Sequence, residues 1–165
     1  MPVQPALNNT DYQPTHAELS EGFLLHFFMN LALSADVVEP LNEAGLGRPH
    51  HRILIFAAYD PGITINELLA VMRVSRQNLR VPIKTLHEKG YLITKRSDAD
   101  GRQRQLYVTP AGRRLLDQLK KIQFQRLERA FIEKGPTATK GFLEVQAAMV
   151  DPTDASLLTS LQKTF

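Results

Sequence analysis

The chain has 165 residues, 43% of them apolar and 22% charged, and it contains no cysteine. That length and balance fit one ordinary globular domain and exclude a wholly disordered chain. The missing thiol excludes disulfides, thiolate metal sites and thiol redox switches.

Charge is unevenly spread. Residues 1–70 set Arg48 and Arg52 against eight carboxylates (net −6), whereas residues 71–104 hold nine lysines and arginines against three carboxylates (net +6). One third of the chain is composed like a surface for an anion.

In chain order, residues 1–14 carry three prolines and few large apolar groups and read as a flexible arm. They have neither a basic start nor an apolar core, so they do not read as a secretion signal. No uninterrupted apolar run approaches the ~18–20 residues that span a bilayer. A cytoplasmic protein with no membrane partner is expected.

Thr15-His-Ala-Glu18 has capping-box spacing and predicts a helix start. Leu19, Phe23, Phe27 and Leu31 form its stripe, widened by Leu24, Leu25 and Phe28. Burial against the chain's own core and burial against a partner chain both account for so much apolar surface. Pro49 suits a first helical turn, His50–Tyr59 reads as a short buried helix, and Asp60-Pro-Gly62 stops it.

Thr64-Ile-Asn-Glu67 is a second capping box, opening a short helix through Leu68, Leu69 and Met72. Ser75 can cap the next helix, which runs to a stop at Gly90. Two short helices joined so tightly form a helix-turn-helix. Tyr91–Thr94 and Arg104–Thr109 are β-prone, and the polar Ser97–Arg102 between them predicts a hairpin. Thr109-Pro110 then caps a long helix carrying Leu115, Leu116, Leu119, Ile122, Leu127 and Phe131. Gly135-Pro136 ends it, and helices follow around Thr139–Val150 and after Asp151-Pro152. The fold class is mainly α with a small β-hairpin wing: a winged helix-turn-helix.

Spacing residues 100° apart from Ser75 places Leu79, Ile83 and Leu86 on one stripe, and Gln77, Arg80, Val81, Lys84 and Glu88 on the opposite face. A major groove suits the second face, because Arg pairs bidentately with guanine and Gln with adenine. Ser75, Arg76 and Gln77 occupy the first turn, where recognition helices meet base edges. Arg73, Lys95 and Arg96 are candidate phosphate contacts, and Arg104 on the hairpin completes the basic set. Pro82 lacks an amide for the Asn78 carbonyl, which predicts either a tolerated bend or a kink that re-aims Gln77 and Arg80. At the wing tip, Asp100-Gly101-Arg102 supplies an arginine sized for a minor groove and a carboxylate to hold it. Double-stranded DNA, met through Thr64–Thr109, is the expected partner.

The stretch from His50 to about Leu119 resembles the MarR family of bacterial regulators. PGITINELLAVMRVSRQNLRVPIKTLHEKGYL and the wing DADGRQRQLYVTPAGRRLL carry the likeness, the Asp-x-Arg wing followed by Thr109-Pro-Ala-Gly112 being its most specific part. The resemblance implies a homodimer whose first and last helices interlock, with recognition helices in successive major grooves of a pseudo-palindrome. It maps the wing pair onto Asp100 and Arg102 and the recognition contacts onto Ser75–Lys84. The chain then divides into an arm (1–14), an N-terminal helix at the dimer interface (15–48), the winged helix-turn-helix (49–109) and C-terminal dimerisation helices (110–165), within one compact domain.

The resemblance also implies a repressor that releases DNA when a small aromatic or phenolic effector binds. His26, His50, His51, Arg52 and Tyr59 are candidates for that site by chemistry and location; for His50 and His51, finishing a helix start or packing is the competing role. The five histidines lack tight ligand spacing, so no metal or cofactor is expected. With no phosphate-cradling glycine loop, Gly-x-Ser-x-Gly or His-Glu-x-x-His, no enzyme is expected either. The rival reading is a winged helix used for protein contact.

Overall fold

The computed structural model describes residues 12–96, 103–155 and 158–159, in two compact units, 1–35 and 36–165. In the first unit, α1 spans His16–Ala35. Its capping box closes as expected: Glu18 N–H donates to Thr15 Oγ1 (3.2 Å), and Thr15 N–H donates to Glu18 Oε2 (2.7 Å). No residue of α1 is buried. The members of the Leu19–Leu31 stripe are 43–72% exposed. Residues 16–43 also contain a stretch that is long and apolar enough, by length and composition, to cross a membrane. It is not an unbroken apolar run, since every 18-residue window of it includes Glu21 or Asp36.

The second unit begins with α2 (Val38–Glu43), which sequence periodicity does not reveal, then α3 (Arg48–Tyr59). A helix of six residues is too short to display a period. It holds Leu41 in the core beside Val37. α3 starts at Arg48 with Pro49 in its first turn, and Gly47 N–H donates to His50 Nδ1 (2.9 Å). Ile53, Leu54, Ala57 and Ala58 are almost wholly buried, making α3 the spine of the core.

Around it pack α4 (Ile65–Met72), α5 (Arg76–Glu88), an antiparallel hairpin of β1 (Leu92–Arg96) and β2 (Arg104–Val108), and α6 (Pro110–Ala148). The hairpin register runs from Leu92 opposite Val108 to Arg96 opposite Arg104. A bridge between Thr64 and Gln105 adds a short third edge. There Gly62 N–H donates to the Leu106 carbonyl and Leu106 N–H to the Ile63 carbonyl, both at 3.0 Å.

α6 buries Leu115, Leu116 and Leu119. At Gly135 (φ 78°, ψ 174°) its backbone leaves helical geometry, so the expected break before Pro136 is present inside one long helical stretch. Phe131 and Phe142 meet edge-on across that break at 5.9 Å. Beyond Phe124 the helix surface is largely open, with Ile132, Leu143, Val145 and Met149 at least half exposed.

His51 is the one buried polar or charged side chain among the described residues, at 6% exposed, and desolvation holds its pKa below the ordinary value. The unfolded chain therefore binds a proton at higher pH than the fold does. Stability from this residue is complete above the unfolded pKa of ~6.5 and is lost as pH falls from there toward the folded value. Urea midpoints should decline through that window, and His51→Leu should flatten the decline; an unchanged pH profile in the variant would contradict this account.

Candidate nucleic-acid interface

The helix-turn-helix is built by local bonds. Thr64 caps α4 by accepting from Glu67 N–H (3.3 Å), and the Glu67 carboxylate takes bonds from Thr64 N–H (2.8 Å) and its hydroxyl (2.7 Å). These bonds hold the Glu67 pKa low. α4 ends on Arg73, the only non-glycine residue with positive φ (53°) among those described. Ser75 has the extended backbone of an N-cap, yet its hydroxyl accepts no cap bond.

On α5, Leu79 and Leu86 are buried and Ile83 is half-buried, while Gln77, Arg80, Val81, Lys84 and Glu88 are exposed. The two faces follow the helical phase. The helix runs unbroken through Pro82, because core contacts on either side hold it across the one missing amide bond.

The cations divide by what they touch. Arg73 reaches Asp151 (3.2 Å) and Asp154 (2.9 Å), so its charge is largely matched within the chain. Lys84 lies 3.5 Å from Glu88, and Lys95 sits over the Tyr107 ring at 5.0 Å. Arg76 donates to Asn66 Oδ1 at 2.7 Å. Among the described residues, Arg76, Arg80, Arg96 and Arg104 have no carboxylate within salt-bridge distance. Asp100 and Arg102 lie outside the described residues.

The wing is tied to α5 and α6 at its root. His87 Nδ1 lies 2.8 Å from the Leu92 carbonyl, and its Nε2 lies 2.9 Å from the Thr94 hydroxyl. The carbonyl makes Nδ1 the donor, so in the neutral ring Nε2 accepts from Thr94. Thr109 explains the Thr-x-x-Gly pattern. Its hydroxyl donates to the Gly90 carbonyl (2.6 Å) and accepts from Gly112 N–H (3.1 Å).

Four of the candidate effector residues share α3, and the fifth lies on α1. His26 lies on α1 and shares a 2.9 Å contact with Asn30. On α3, His50 is a cap whose Nε2 is buried without a partner, His51 and Tyr59 are buried, and exposed Arg52 reaches the Met72 carbonyl at 3.4 Å. Burial holds the His50 pKa down and the Tyr59 pKa up. An open groove of about 540 Å³ lies between Thr64–Glu67, Arg76 and Gln103–Arg104. Two hollows of about 370 and 320 Å³ lie along α6, sharing Gln125 and Glu128. None of the five candidates lines these three cavities. Asn66 and Gln103 carry no signal in the sequence; only their polarity beside Arg76 and Arg104 in the fold singles them out.

Comparison with known proteins agrees with this geometry. Residues 44–103 match the sequence model of the MarR family. The HTH-type transcriptional regulator PetP of Rhodobacter capsulatus is 33% identical over 138 residues, covering 84% of this chain and 83% of that protein. CouR from Rhodococcus jostii RHA1, bound to p-coumaroyl-CoA, superposes with a TM-score of 0.64 at 23% identity, covering 80% of this chain and 92% of that one. The transcriptional repressor CouR bound to a 23-mer DNA duplex does so with a TM-score of 0.63 at 23% identity, covering 84% and 99%.

Proposed function

The chain belongs to the MarR family of winged-helix, non-enzymatic DNA-binding transcription regulators, and from that premise we propose that it is a ligand-responsive repressor acting as a cytoplasmic homodimer on a pseudo-palindromic operator. The observation that carries the reading is the exposed polar face of α5. Gln77, Arg80 and Lys84 stand on it, opposite the buried Leu79 and Leu86. In this reading Gln77, Arg80 and Lys84 enter the major groove with Ser75 in the first turn beside the base edges, Arg76, Lys95, Arg96 and Arg104 follow the phosphates, and Asp100 and Arg102 serve the minor groove. The open apolar surfaces of α1 and distal α6 support the homodimer. CouR with p-coumaroyl-CoA, a coenzyme A thioester of a phenolic acid, supports an effector that carries a phenolic group; His26, His50, His51, Arg52 and Tyr59 are its candidate contacts.

Selection of bound duplexes from a random pool, followed by footprinting, tests the reading. Two protected half-sites about one helical turn apart are expected, as is a log affinity falling by ~0.9 per phosphate contact with log salt. A flat salt response would favour the protein-contact alternative. On the selected duplex, Arg80→Ala should cost ~1–3 kcal/mol and relax the preference at one base pair. Arg73→Ala should change affinity and salt slope little, since Asp151 and Asp154 already match its charge. A large Arg73 effect beside a small Arg80 effect would refute this division of labour.

A further inference from the structure

We propose that Asn66 is a positioning residue for Arg76, and that Arg76 and Arg104 together seat one backbone phosphate of duplex DNA in the groove between α4, α5 and β2. Three observations converge on it. The Asn66 carboxamide oxygen accepts from the Arg76 guanidinium at 2.7 Å, although both side chains are exposed and both could turn to water. Arg76 and Arg104 line the same groove of about 540 Å³, with the Gln103 side chain beside them. Arg104 also stands directly opposite Arg96 across the hairpin.

Like charges opposed across a strand pair destabilise a hairpin, and among the described residues no carboxylate relieves this one. An external anion would relieve it. Glu67 also lines the groove, but its Oε2 is committed to the Thr64 amide and hydroxyl, so the two arginines outweigh it there. A guanidinium held by a neutral amide keeps its full charge and its remaining N–H groups for a phosphate. Held by a carboxylate, it would have that charge offset by its neighbour. That is the difference between Arg76 and Arg73.

The proposal rests on α5 being the DNA-reading helix, and a double-mutant cycle separates the two claims. The probe is a duplex of mixed sequence, with a selected duplex alongside. Asn66→Ala and Arg76→Ala should each weaken binding by about 3- to 10-fold. The double variant should bind like Arg76→Ala alone, and Arg76→Ala should lower the salt slope by ~0.9. Both positions are exposed, so thermal midpoints should stay at the wild-type value. Additive losses would mean that Asn66 meets DNA on its own account, and unchanged binding by Asn66→Ala would mean that it positions nothing; either overturns the proposal. If Arg80→Ala also left the selected duplex bound as before, the reading of α5 itself would fall instead.

Discussion

Gly112→Ala is expected to destabilise the protein by about 2–3 kcal/mol, although alanine is the better helix former by ~1 kcal/mol. The reason is a backbone approach. A Cβ at Gly112 would overlap the Tyr91 carbonyl oxygen and come within 2.8 Å of Val108 Cγ1. The carbonyl cannot rotate aside, because it already accepts from Thr109 N–H at 3.0 Å. Relief requires the start of α6 to lift away from the wing root. Lifting it breaks the Thr109 bonds to Gly90 and Gly112, which hold three elements together. Gly141→Ala is the matched control, since it lies in the same helix and its Cβ would meet nothing within 4 Å. That variant should be neutral or slightly stabilising. For a domain of this size the Gly112 variant should melt roughly 5–10 °C lower. Equal midpoints for the two variants would show that the close approach carries no cost.

That glycine also marks how far the amino-acid sequence alone can be read. Thr109-Pro-Ala-Gly112 is recognisable as a pattern and as a helix start, because a cap and its residue types are local. Why the fourth position must be glycine is not legible there: Tyr91 lies 21 residues earlier and its carbonyl reaches Gly112 only through the fold. The same division runs through the site. The phase of α5 separates Leu79 and Leu86 from Gln77, Arg80 and Lys84, because helical periodicity is a property of the chain itself. Arg73 looks like Arg76 in sequence, yet one meets Asp151 and Asp154, some 80 positions away, and the other meets Asn66. Ser75 has the composition of a cap without making the bond. α2 and the Gly62–Thr64 edge leave no trace in the sequence because each is too short for a period and takes its order from neighbours.

Phe23→Glu combined with Phe28→Glu should convert the protein from a dimer to a monomer and weaken binding to a two-half-site duplex by ~10²–10⁴-fold. α1 has 20 residues and buries none of them. Phe23 is 72% exposed, Leu25 63%, Phe28 62% and Leu19 58%. Covering a side chain of this kind is worth ~1.5–3 kcal/mol, and so many of them around one helix exceed what monomers ordinarily leave in water. A two-fold interface would bring each glutamate pair toward its mates, so the charge penalty is doubled in the dimer and absent in the monomer. The loss should therefore appear in avidity and not in the fold: single half-site affinity and the thermal transition of residues 36–165 should persist. Light scattering reads the first effect and gel shifts on one- and two-half-site duplexes read the second. A membrane role for the same apolar stretch predicts something else, namely that the wild type sediments with phosphatidylcholine vesicles and the variant does not. A variant that remains dimeric, or a wild type that partitions to vesicles, would remove α1 from the dimer interface.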